Sequence, residues 1–315
     1  MRAALVDRYG PPDVVRIEDV ARPDPGADAV LVRVHAAAVT SGDARVRGGR
    51  FPDGFGFFAR LAFGWTGPRR KILGGTFAGV VESVGSSVGD LAPGDAVCGM
   101  AGMKMGAHAE YIAVPAKRVV RIPVGIGFDD AAGLLFGGTT ALYFLRDKAK
   151  LAPSASLLVN GASGAVGTNA VQLGKHFGAT VTAVTSSANE VLVRRLGADD
   201  VVLHDRVDLV SLDRRFDAVL DTVGNLDISS GRRLLTEGGV LLLTVASLGD
   251  TLRPRGNVKT GTSGERAEDF AFLLDLVATG TLSVVVDDAF DLDHIVDAYR
   301  RVDSGRKVGN VIVRP

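Results

Sequence analysis

The sequence is poor in cysteine and has no long apolar run. Cys98 is the single cysteine in 315 residues, so no internal disulfide can form, which fits a reducing compartment. No stretch of about 18 apolar residues is present, which predicts that no helix spans a membrane. No apolar core of a secretory signal peptide precedes the first charges of the N-terminus, MRAALVDR. These absences together predict a cytoplasmic protein.

The chain also lacks net charge and paired metal ligands. Its 36 lysines and arginines balance its 36 aspartates and glutamates. A formal net charge of +0 gives no bulk field that attracts nucleic acid or an anionic membrane, although it does not exclude a local patch. No two histidines have the spacing of metal ligands, and the sequence therefore predicts no zinc site. The histidines are His35, His108, His176, His204 and His294.

What the sequence does contain is an ordinary globular composition and two secondary-structure patterns. Hydrophobic residues make up 46% and charged residues 23%, which is typical of a folded chain. In roughly the first 120 residues, short strands such as Val30–His35 and Phe77–Val84 are separated by Gly and Pro turns, which predicts a small β domain. From Ser156–Asn160 onward, strands alternate with helices, which predicts an α/β fold with a parallel sheet. Later strands are predicted at Val201–Leu203, Ala218–Leu220, Val240–Val245, Val284–Val286 and Val308–Val313.

Residues 45–71 interrupt the strand pattern with aromatic and basic side chains. Three interpretations stay open: an aromatic lip over a substrate pocket, a loop whose aromatic residues fill the core while its charges face water, or a patch for nucleic acid or membrane. The lip is the preferred one. The aromatic residues are Phe51, Phe55, Phe57, Phe58, Phe63 and Trp65, and the basic residues are Arg45, Arg47, Arg50, Arg60, Arg69, Arg70 and Lys71.

A glycine-rich turn follows the strand predicted at Ser156–Asn160. Gly161, Gly164 and Gly167 have a Gly-x-x-Gly-x-x-Gly spacing that leads into a helical pattern at Gly167–Phe177. Glycine allows a sharp turn and close approach to a pyrophosphate, and the helix N-terminus offers free N–H groups. Such a turn also occurs without a ligand, but the strand–helix alternation after it favours a dinucleotide site.

The end of the second strand of this region bears on the type of nicotinamide cofactor. An acidic residue there would bind the ribose 2′-hydroxyl of NAD. The sequence instead has Thr185, Ser186 and Ser187, whose hydroxyls tolerate a 2′-phosphate that a carboxylate would repel. Arg194 and Arg195, in the next predicted helix, either supply charge to that phosphate or form a solvated helix face. NADPH is therefore predicted over NADH.

These segments and their neighbours resemble the medium-chain dehydrogenase/reductase superfamily over nearly the whole chain. Within it, they resemble the zinc-independent quinone oxidoreductases of the zeta-crystallin-like family. The similar motifs are VLVRV at 30–34, LGGTFAGVVESVG at 73–85, PGDAV at 93–97, AEY at 109–111, DAA at 130–132, TTA at 139–141 and SGRKVG at 304–309. Together they are far more specific than the glycine turn alone.

The resemblance implies two domains and a cleft between them. A GroES-like β domain is expected at 1–118, completed by 287–315, and a Rossmann domain with a doubly wound parallel sheet at 119–286. The substrate would bind in the cleft. The cofactor contacts expected from the glycine turn and from the resemblance are Thr140, Gly161, Gly164, Ala165, Val166, Gly167, Thr185, Ser186, Ser187, Val223, Gly224, Val245, Ala246 and Ser247.

The chain departs from the zinc members of the superfamily at the positions of their metal ligands. Thr40 stands at about the place of their active-site Cys, and Gly75 and Thr76 stand at the place of their His-Glu pair. With Cys98 alone, the chain also cannot build their four-Cys structural zinc lobe. A metal-free site is therefore expected.

The loop after Thr40 is where catalytic residues are expected, although two features of quinone oxidoreductases are missing from it. An Asn-Pro pair usually precedes the position of Asp43, and a Tyr commonly stands at that of Phe51. Thr40 and Ser41 are candidate hydrogen-bond donors to a developing enolate, and Asp43 is a candidate for orienting the loop. Ordinary loop hydrogen bonding is the alternative for all three.

The expected function is NADPH-dependent, zinc-independent hydride transfer to a hydrophobic quinone or to an activated α,β-unsaturated carbonyl. One alternative is an enoyl reductase of lipid or polyketide metabolism. Another is a low-turnover regulatory or interaction protein that binds NADPH, which the missing Asn and Tyr keep open. The resemblance implies a homodimer, and no nucleic-acid or membrane partner is expected.

Overall fold

A computed structural model describes residues 1–51, 53–247, 249 and 256–315, which form a mainly antiparallel sheet, a parallel sheet and a two-stranded ribbon. The longest strand of the antiparallel sheet, β3, alternates buried Val30, Val32 and Val34 with exposed Arg33 and His35, as expected of a strand with one face on a core. The first strands are β1 (Arg2–Val6), β2 (Val15–Asp19), β3 (Ala29–Val39), β4 (Thr76–Val84), β5 (Ala96–Met100), β6 (Tyr111–Pro115) and β7 (Val119–Arg121).

Two short helices lie between β3 and β4, and they carry much of the 45–71 segment. They are α1 (Ser41–Gly48) and α2 (Gly56–Phe63). β3 pairs antiparallel with both β4 and β6, while β1 pairs with β2 in the ribbon. Because α1 begins directly after β3, the end of this strand places the first residues of α1.

The second sheet is entirely parallel and has the strand order β10-β9-β8-β11-β12-β13. The order reverses beside β8, so a crevice opens at the carboxyl ends of β8 and β11. These strands are β8 (Ser156–Asn160), β9 (Thr180–Thr185), β10 (Asp200–Leu203), β11 (Phe216–Asp221), β12 (Leu235–Leu243) and β13 (Val258–Lys259).

Helices accompany this sheet and connect it with the first one. They are α3 (Phe128–Leu142), α4 (Ala165–His176), α5 (Glu190–Arg195), α6 (Ile228–Arg233) and α7 (Ala267–Ala278). Buried residues of α3 share one hydrophobic cluster with Ala38 and Cys98 of the antiparallel sheet and with Leu157 of the parallel sheet. This apolar contact fixes the two sheets against each other. Among the described residues, no helix has the length and apolar character needed to cross a membrane.

The chain returns to the antiparallel sheet at its end, through β14 (Val286–Asp291), α8 (Ile295–Asp303) and β15 (Asn310–Arg314). β15 pairs antiparallel with β3 and parallel with β14. The residue limits expected for the two domains stay a prediction.

Most predicted strands have somewhat different limits in the structure; the strand predicted at Val308–Val313, for example, runs over Asn310–Arg314. For two of them, hydrogen bonds give the reason. The strand predicted at Val284–Val286 begins only at Val286, because the carbonyl of Val285 accepts hydrogen bonds from the N–H and side-chain amide of Asn310. The strand predicted at Val240–Val245 ends at Leu243. There Thr244 turns the chain by donating both its N–H, at 3.1 Å, and its hydroxyl, at 3.0 Å, to the carbonyl of Asp221.

Candidate cofactor and substrate site

The turn between β8 and α4 has the backbone shape that a pyrophosphate site needs. Gly161 has a φ of +82°, which strains any residue with a side chain. A Cβ on Gly167 would lie 2.1 Å from the carbonyl oxygen of Gly161, so helix and strand pack closely here. Gly164 faces open space, and its nearest contact would be at 3.5 Å. No side chain caps α4 at Ala165, so its first N–H groups and the open space at Gly164 fit a phosphate.

A buried carboxylate holds the loop at the end of the neighbouring strand. Asp221, at the end of β11, accepts hydrogen bonds from the N–H groups of Val223 and Gly224 at 3.0 and 3.1 Å and from the Asn160 side chain at 2.9 Å. A Cβ on Gly161 would lie 2.7 Å from the Val223 side chain. The loop therefore borders the glycine turn. Sequence reasoning missed Asn160 and Asp221, although a polar residue that ends an apolar strand is a detectable signal.

The loop after β12 completes the crevice. A Cβ on Gly224 would lie 3.0 Å from the Cβ of Val245, so the Val223–Gly224 loop touches the Val245–Ser247 segment. The structure thus brings together the predicted cofactor residues from the ends of β8, β11 and β12. An uncapped helix, an open glycine and two strand-end loops in one crevice fit a dinucleotide.

The end of β9 has a carboxylate beside it that sequence reasoning missed. Asp205, just after β10, accepts hydrogen bonds from the Ser187 hydroxyl at 3.0 Å and from its N–H at 3.2 Å. The hydrogen bond from the Ser187 hydroxyl is the main cause that lowers the pKa of Asp205. Ser186 accepts a hydrogen bond from Asn189 at 3.2 Å, while the buried Thr185 hydroxyl has no partner within the described part of the chain. A strand pairing, not sequence proximity, places this negative charge.

Both arginines of α5 have other contacts. Arg194 pairs with Glu190 one turn earlier, at 2.9 Å. Arg195 lines a separate cavity of about 440 Å³ together with Gln172 and Gly280. These contacts favour the solvated-face interpretation for both arginines.

Helix α3 lies beside both halves of the cleft. Thr140 donates its hydroxyl to the carbonyl of Phe136 at 2.7 Å, so this hydroxyl is engaged within the helix. A Cβ on Gly42 of α1 would lie 3.8 Å from the Phe136 ring, and a Cβ on Gly137 would lie 2.1 Å from the carbonyl oxygen of Ala165. The starts of α1 and α4 therefore meet across α3.

The cleft loop is held by a buried capping box at the start of α1. Asp43 accepts hydrogen bonds from the Thr40 hydroxyl at 2.6 Å and from its N–H at 2.8 Å, and the Asp43 N–H donates back to that hydroxyl. The N–H of Gly74 also donates to Asp43, at 3.1 Å. Thr40 and Asp43 therefore satisfy each other, and they tie the loop to the segment before β4.

Ser41 and Arg45 line a cavity of about 340 Å³ that also includes Phe51 and Val245. They lie on one face of α1 because they are four residues apart. The guanidinium of Arg45 has no hydrogen-bond or ion-pair partner among the described residues, although the Arg45 carbonyl accepts from the N–H of Arg50. Burial, followed by the charge of Arg50, lowers its pKa. Sequence reasoning missed Arg45 as a site residue; its spacing from Ser41 was the available signal.

A buried polar network supports this cavity from behind. The His108 ring contacts the carbonyl of Ala38 and the hydroxyl of Tyr299, each at 3.2 Å. A carbonyl only accepts, so His108 donates through Nε2 and accepts from Tyr299 through Nδ1. Burial lowers the pKa of His108, so the ring is neutral near pH 7.

Arg47 adds a fully buried cation to this network. It pairs with Asp303 and donates to the carbonyl of Gly10 at 2.6 Å, and its guanidinium lies 5.1 Å from the Tyr299 ring centre. The interpretation that all charges of the 45–71 segment face water is therefore wrong for Arg47. The compensating carboxylate comes from α8, far along the sequence.

The chain matches family models at both ends. It matches the alcohol dehydrogenase GroES-like domain at residues 26–124 and the zinc-binding dehydrogenase family at residues 196–313. It is 34% identical to 2-methylene-furan-3-one reductase of Solanum lycopersicum, over 100% of this chain and 79% of that relative. It is 32% identical to the NADPH-dependent alkenal/one oxidoreductase of Arabidopsis thaliana, over 100% of this chain and 80% of that relative.

A solved structure of a quinone oxidoreductase from Coxiella burnetii is also similar, with a TM-score of 0.89 and 27% identity, covering 100% of this chain and 99% of that one. The chain therefore belongs to the medium-chain dehydrogenase/reductase superfamily. The predicted superfamily, the predicted GroES-like and Rossmann fold, and the predicted oxidoreductase class are confirmed. The cofactor is a nicotinamide dinucleotide.

Proposed function

We propose that the protein is an NADPH-dependent reductase that delivers hydride to a quinone or to the β-carbon of an α,β-unsaturated carbonyl. The observation that carries this proposal is the cavity where Ser41 and Arg45 face Val245, next to the dinucleotide crevice. The names of the relatives from Solanum and Arabidopsis support the same chemistry. A hydrophobic small molecule fits a cavity of this size, about 340 Å³, with Phe51 in its wall.

Arg45 and Ser41 are the groups that we propose to contact the reacting carbonyl oxygen. Bound NADPH supplies the hydride, and the acceptor's oxygen then develops negative charge. A guanidinium without a carboxylate partner, beside a hydroxyl in a half-buried cavity, stabilises such charge by hydrogen bonding. Water supplies the proton that completes the saturated product.

Thr40 and Asp43 act as positioning residues in this proposal. Their hydroxyl and carboxylate already bond each other, at 2.6 Å. Because the Thr40 hydroxyl is engaged in this way, it holds the loop and so fixes the positions of Ser41 and Arg45. The predicted role of Asp43 in orienting the cleft loop is kept. Of the two predicted donors, Ser41 is kept, and Arg45 takes the place of Thr40.

NADPH is proposed over NADH on two grounds. First, hydroxyl-bearing residues lie at the end of β9 and directly after it: Thr185, Ser186 and Ser187. Second, a relative at 32% identity is named as NADPH-dependent. Asp205 opposes this preference, because its charge repels a 2′-phosphate at Ser187. We therefore expect a modest preference for NADPH over NADH. The Asp205→Asn variant described below tests it.

Catalysis is proposed to be zinc-independent. At the positions where zinc members carry Cys, His and Glu, this chain has Thr40, Gly75 and Thr76, which offer no thiolate or imidazole. The Thr40 hydroxyl is bound to Asp43, and the Thr76 hydroxyl is buried. Such a donor set does not fit zinc, so chelators are expected to leave turnover unchanged.

The predicted homodimer and the predicted domain limits are also kept as proposals. Both rest on membership of the superfamily, and the pairing of β15 with β3 supports assigning 287–315 to the first domain. Light scattering is expected to give about twice the chain mass of 32.8 kDa. A monomeric mass would contradict the dimer.

The function is tested by following NADPH and NADH oxidation with 1,4-benzoquinone, 9,10-phenanthrenequinone and an α,β-unsaturated ketone, with EDTA present. We expect turnover with NADPH on at least one acceptor, unchanged by EDTA. Loss of turnover in EDTA that zinc restores would contradict the metal-free proposal. Tight NADPH binding without turnover on any acceptor would instead favour the regulatory alternative.

A further inference from the structure

The helix α2 and the turn after it expose four large apolar side chains. Phe57, Phe58, Leu61 and Trp65 are between 51% and 62% exposed. The Phe57 ring contacts those of Phe58 and Trp65, with centroids 5.7 and 5.8 Å apart, so the exposed groups form a continuous layer. We call these four side chains the α2 face. Water contact with so much grouped apolar surface is unfavourable, and such patches mark binding surfaces.

Two other aromatic residues of the segment, Phe51 and Phe63, face inward. Phe51 stacks on Phe63 with centroids 5.7 Å apart and meets Tyr9 edge-on. Both phenylalanines pack against the buried core of the antiparallel sheet. The 45–71 segment is therefore two-sided: Arg45, Arg50 and Phe51 line the substrate cavity, whereas none of the four α2-face side chains does. The α2 face is left without a role in the proposed reaction.

Three exposed arginines lie next to the α2 face. The N–H of Arg69 donates to the carbonyl of Phe63, and the N–H of Tyr9 donates to that of Thr66, which brings Arg8 and Arg69 to this turn. Arg70 follows directly. Arg8, Arg69 and Arg70 are all exposed, and none forms an ion pair with any described residue.

The surrounding charge is strongly positive. Residues 45–71 contain seven basic residues and a single acidic one, Asp53, in a chain whose net charge is +0. Asp303 neutralises Arg47 and Arg50, and Asp7 neutralises Lys71, so the positive charge beside the α2 face comes from the three exposed arginines described above. The α2 face thus combines an apolar layer with a positive rim, which is the composition of segments that lie at a membrane–water interface.

We propose that the α2 face binds the surface of an anionic lipid bilayer. The aromatic rings and Leu61 would enter the boundary between headgroups and acyl chains. Arg8, Arg69 and Arg70 would contact lipid phosphates. This reverses the expectation that the chain has no membrane partner, which rested on the zero net charge and the lack of a long apolar run, and takes up the patch interpretation of residues 45–71. The proposal does not depend on the reductase function.

Two other occupants fit the observations less well. A twofold contact between copies would place the same patch on both sides, so the three arginines of each copy would face those of the other. RNA uses separately presented rings for base stacking, whereas Leu61 and Ala62 on this face offer no stacking surface.

The single tryptophan of the chain, Trp65, is a built-in reporter for the test. The full-length protein is titrated with vesicles of phosphatidylcholine alone and with vesicles containing 30 mol% phosphatidylglycerol. We expect a blue shift of Trp65 emission, and quenching by brominated acyl chains, with the anionic vesicles only. Each arginine near an anionic surface contributes about five-fold in partition coefficient, from ~1 kcal/mol per charge.

Matched variants separate the contribution of the arginines to vesicle binding from that of the apolar side chains. The double variant Arg69→Gln, Arg70→Gln is expected to weaken anionic-vesicle binding by roughly 25-fold, since two charges are removed. Arg33→Gln with Arg206→Gln removes two exposed arginines elsewhere and should leave binding unchanged. Phe57→Ser with Phe58→Ser should abolish the quenching, while Val124→Ser with Val191→Ser, at other exposed apolar sites, should not.

Several outcomes would overturn the proposal. Unchanged Trp65 emission with anionic vesicles would do so, and so would equal loss of binding in the target and control arginine variants. A Trp65 shift that depends on protein concentration without lipid would assign the face to a second copy. A shift with single-stranded RNA but not with vesicles would assign it to nucleic acid. Circular dichroism of each variant verifies that it is folded.

Discussion

At the residue scale, the contact between Asp205 and Ser187 bears on the proposed preference for NADPH. We predict that Asp205→Asn raises kcat/KM for NADPH relative to NADH by about five-fold. The reason is that a like charge near contact distance costs on the order of 1 kcal/mol in a solvated site. Initial rates with both cofactors give this ratio. Asp213→Asn changes an exposed aspartate elsewhere and should leave it unchanged.

If Asp205→Asn instead raised the preference for NADH, Asp205 would not face the 2′ position. The sequence alone left this residue unnoticed, because Asp205 lies 18 positions after Ser187, just beyond the next strand, β10. Only the parallel pairing of β10 with β9 brings the two together.

Arg45 is the residue on which the proposed chemistry depends most. We predict that Arg45→Gln lowers kcat by roughly 10- to 100-fold, because removal of a donor to a developing oxyanion is felt in the transition state. The KM for NADPH should change by less than kcat does. A raised KM for NADPH with normal kcat would show that Arg45 binds the cofactor instead. Arg33→Gln is the control for the loss of one arginine.

His108 makes the stability of the fold depend on pH. Its pKa is lowered by burial, although the charge of Asp43 and the Ala38 carbonyl oppose the shift, and Arg47 and Tyr299 are the other ionisable neighbours. The unfolded chain therefore binds the proton first as pH falls below about 6.5. The contribution of His108 to folding is full above that pH and is lost below it, by at most about 1.4 kcal/mol per pH unit.

The predicted loss of stability at low pH is measured by urea unfolding between pH 5 and 7.5, with Trp65 fluorescence as the signal. The free energy of unfolding of His108→Gln should fall less steeply below pH 6.5 than that of the parent chain. His176→Gln, at an exposed histidine, should behave as the parent does. Parallel curves for the parent and His108→Gln would contradict the lowered pKa of His108.

At the scale of elements, the start of α4 depends on its contact with α3. We predict that Gly137→Ala destabilises the fold by about 1–3 kcal/mol, because a Cβ there would lie 2.1 Å from the carbonyl oxygen of Ala165 and something must shift. The dissociation constant for NADPH should rise as well, if the shifted turn holds the pyrophosphate as we propose. Thermal unfolding and fluorescence titration measure the two effects.

Gly56→Ala is the matched control, because a Cβ at that helical glycine meets nothing within 4 Å. It should leave both the unfolding temperature and the NADPH affinity near their original values. If Gly137→Ala lowered stability but left NADPH affinity intact, the contact would support the helices without shaping the cofactor turn.

Elements with a clear periodicity could be predicted from the sequence, whereas loops that serve the site could not. The strand Ser156–Asn160 has the same limits in the sequence prediction and in the structure. The limits of β12 and β14 were missed, because Thr244 and Asn310 end or delay the strands through hydrogen bonds to distant residues. Local propensity carries no information about such partners.

At the scale of the whole molecule, the sequence motifs were sufficient for the two-part fold and for the cofactor crevice. They could not show which polar groups are free in the cleft. Thr40 and Ser41 were both candidate donors, but the Thr40 hydroxyl is engaged with Asp43, and the Arg45 guanidinium lines the cavity without a partner among the described residues. The burial and pairing of these side chains depend on contacts of α1 with α8 and with the segment before β4.

Hydride transfer to a quinone or to the β-carbon of an enone is the proposed reaction, and isotope transfer tests the enone case. An α,β-unsaturated ketone is reduced with NADPH deuterated at C4 on either face, and the product is analysed by mass spectrometry and NMR. The account predicts a saturated ketone with one deuterium at the β-carbon from one of the two labelled faces. An allylic alcohol with deuterium at the former carbonyl carbon would contradict it, and would indicate an alcohol dehydrogenase instead.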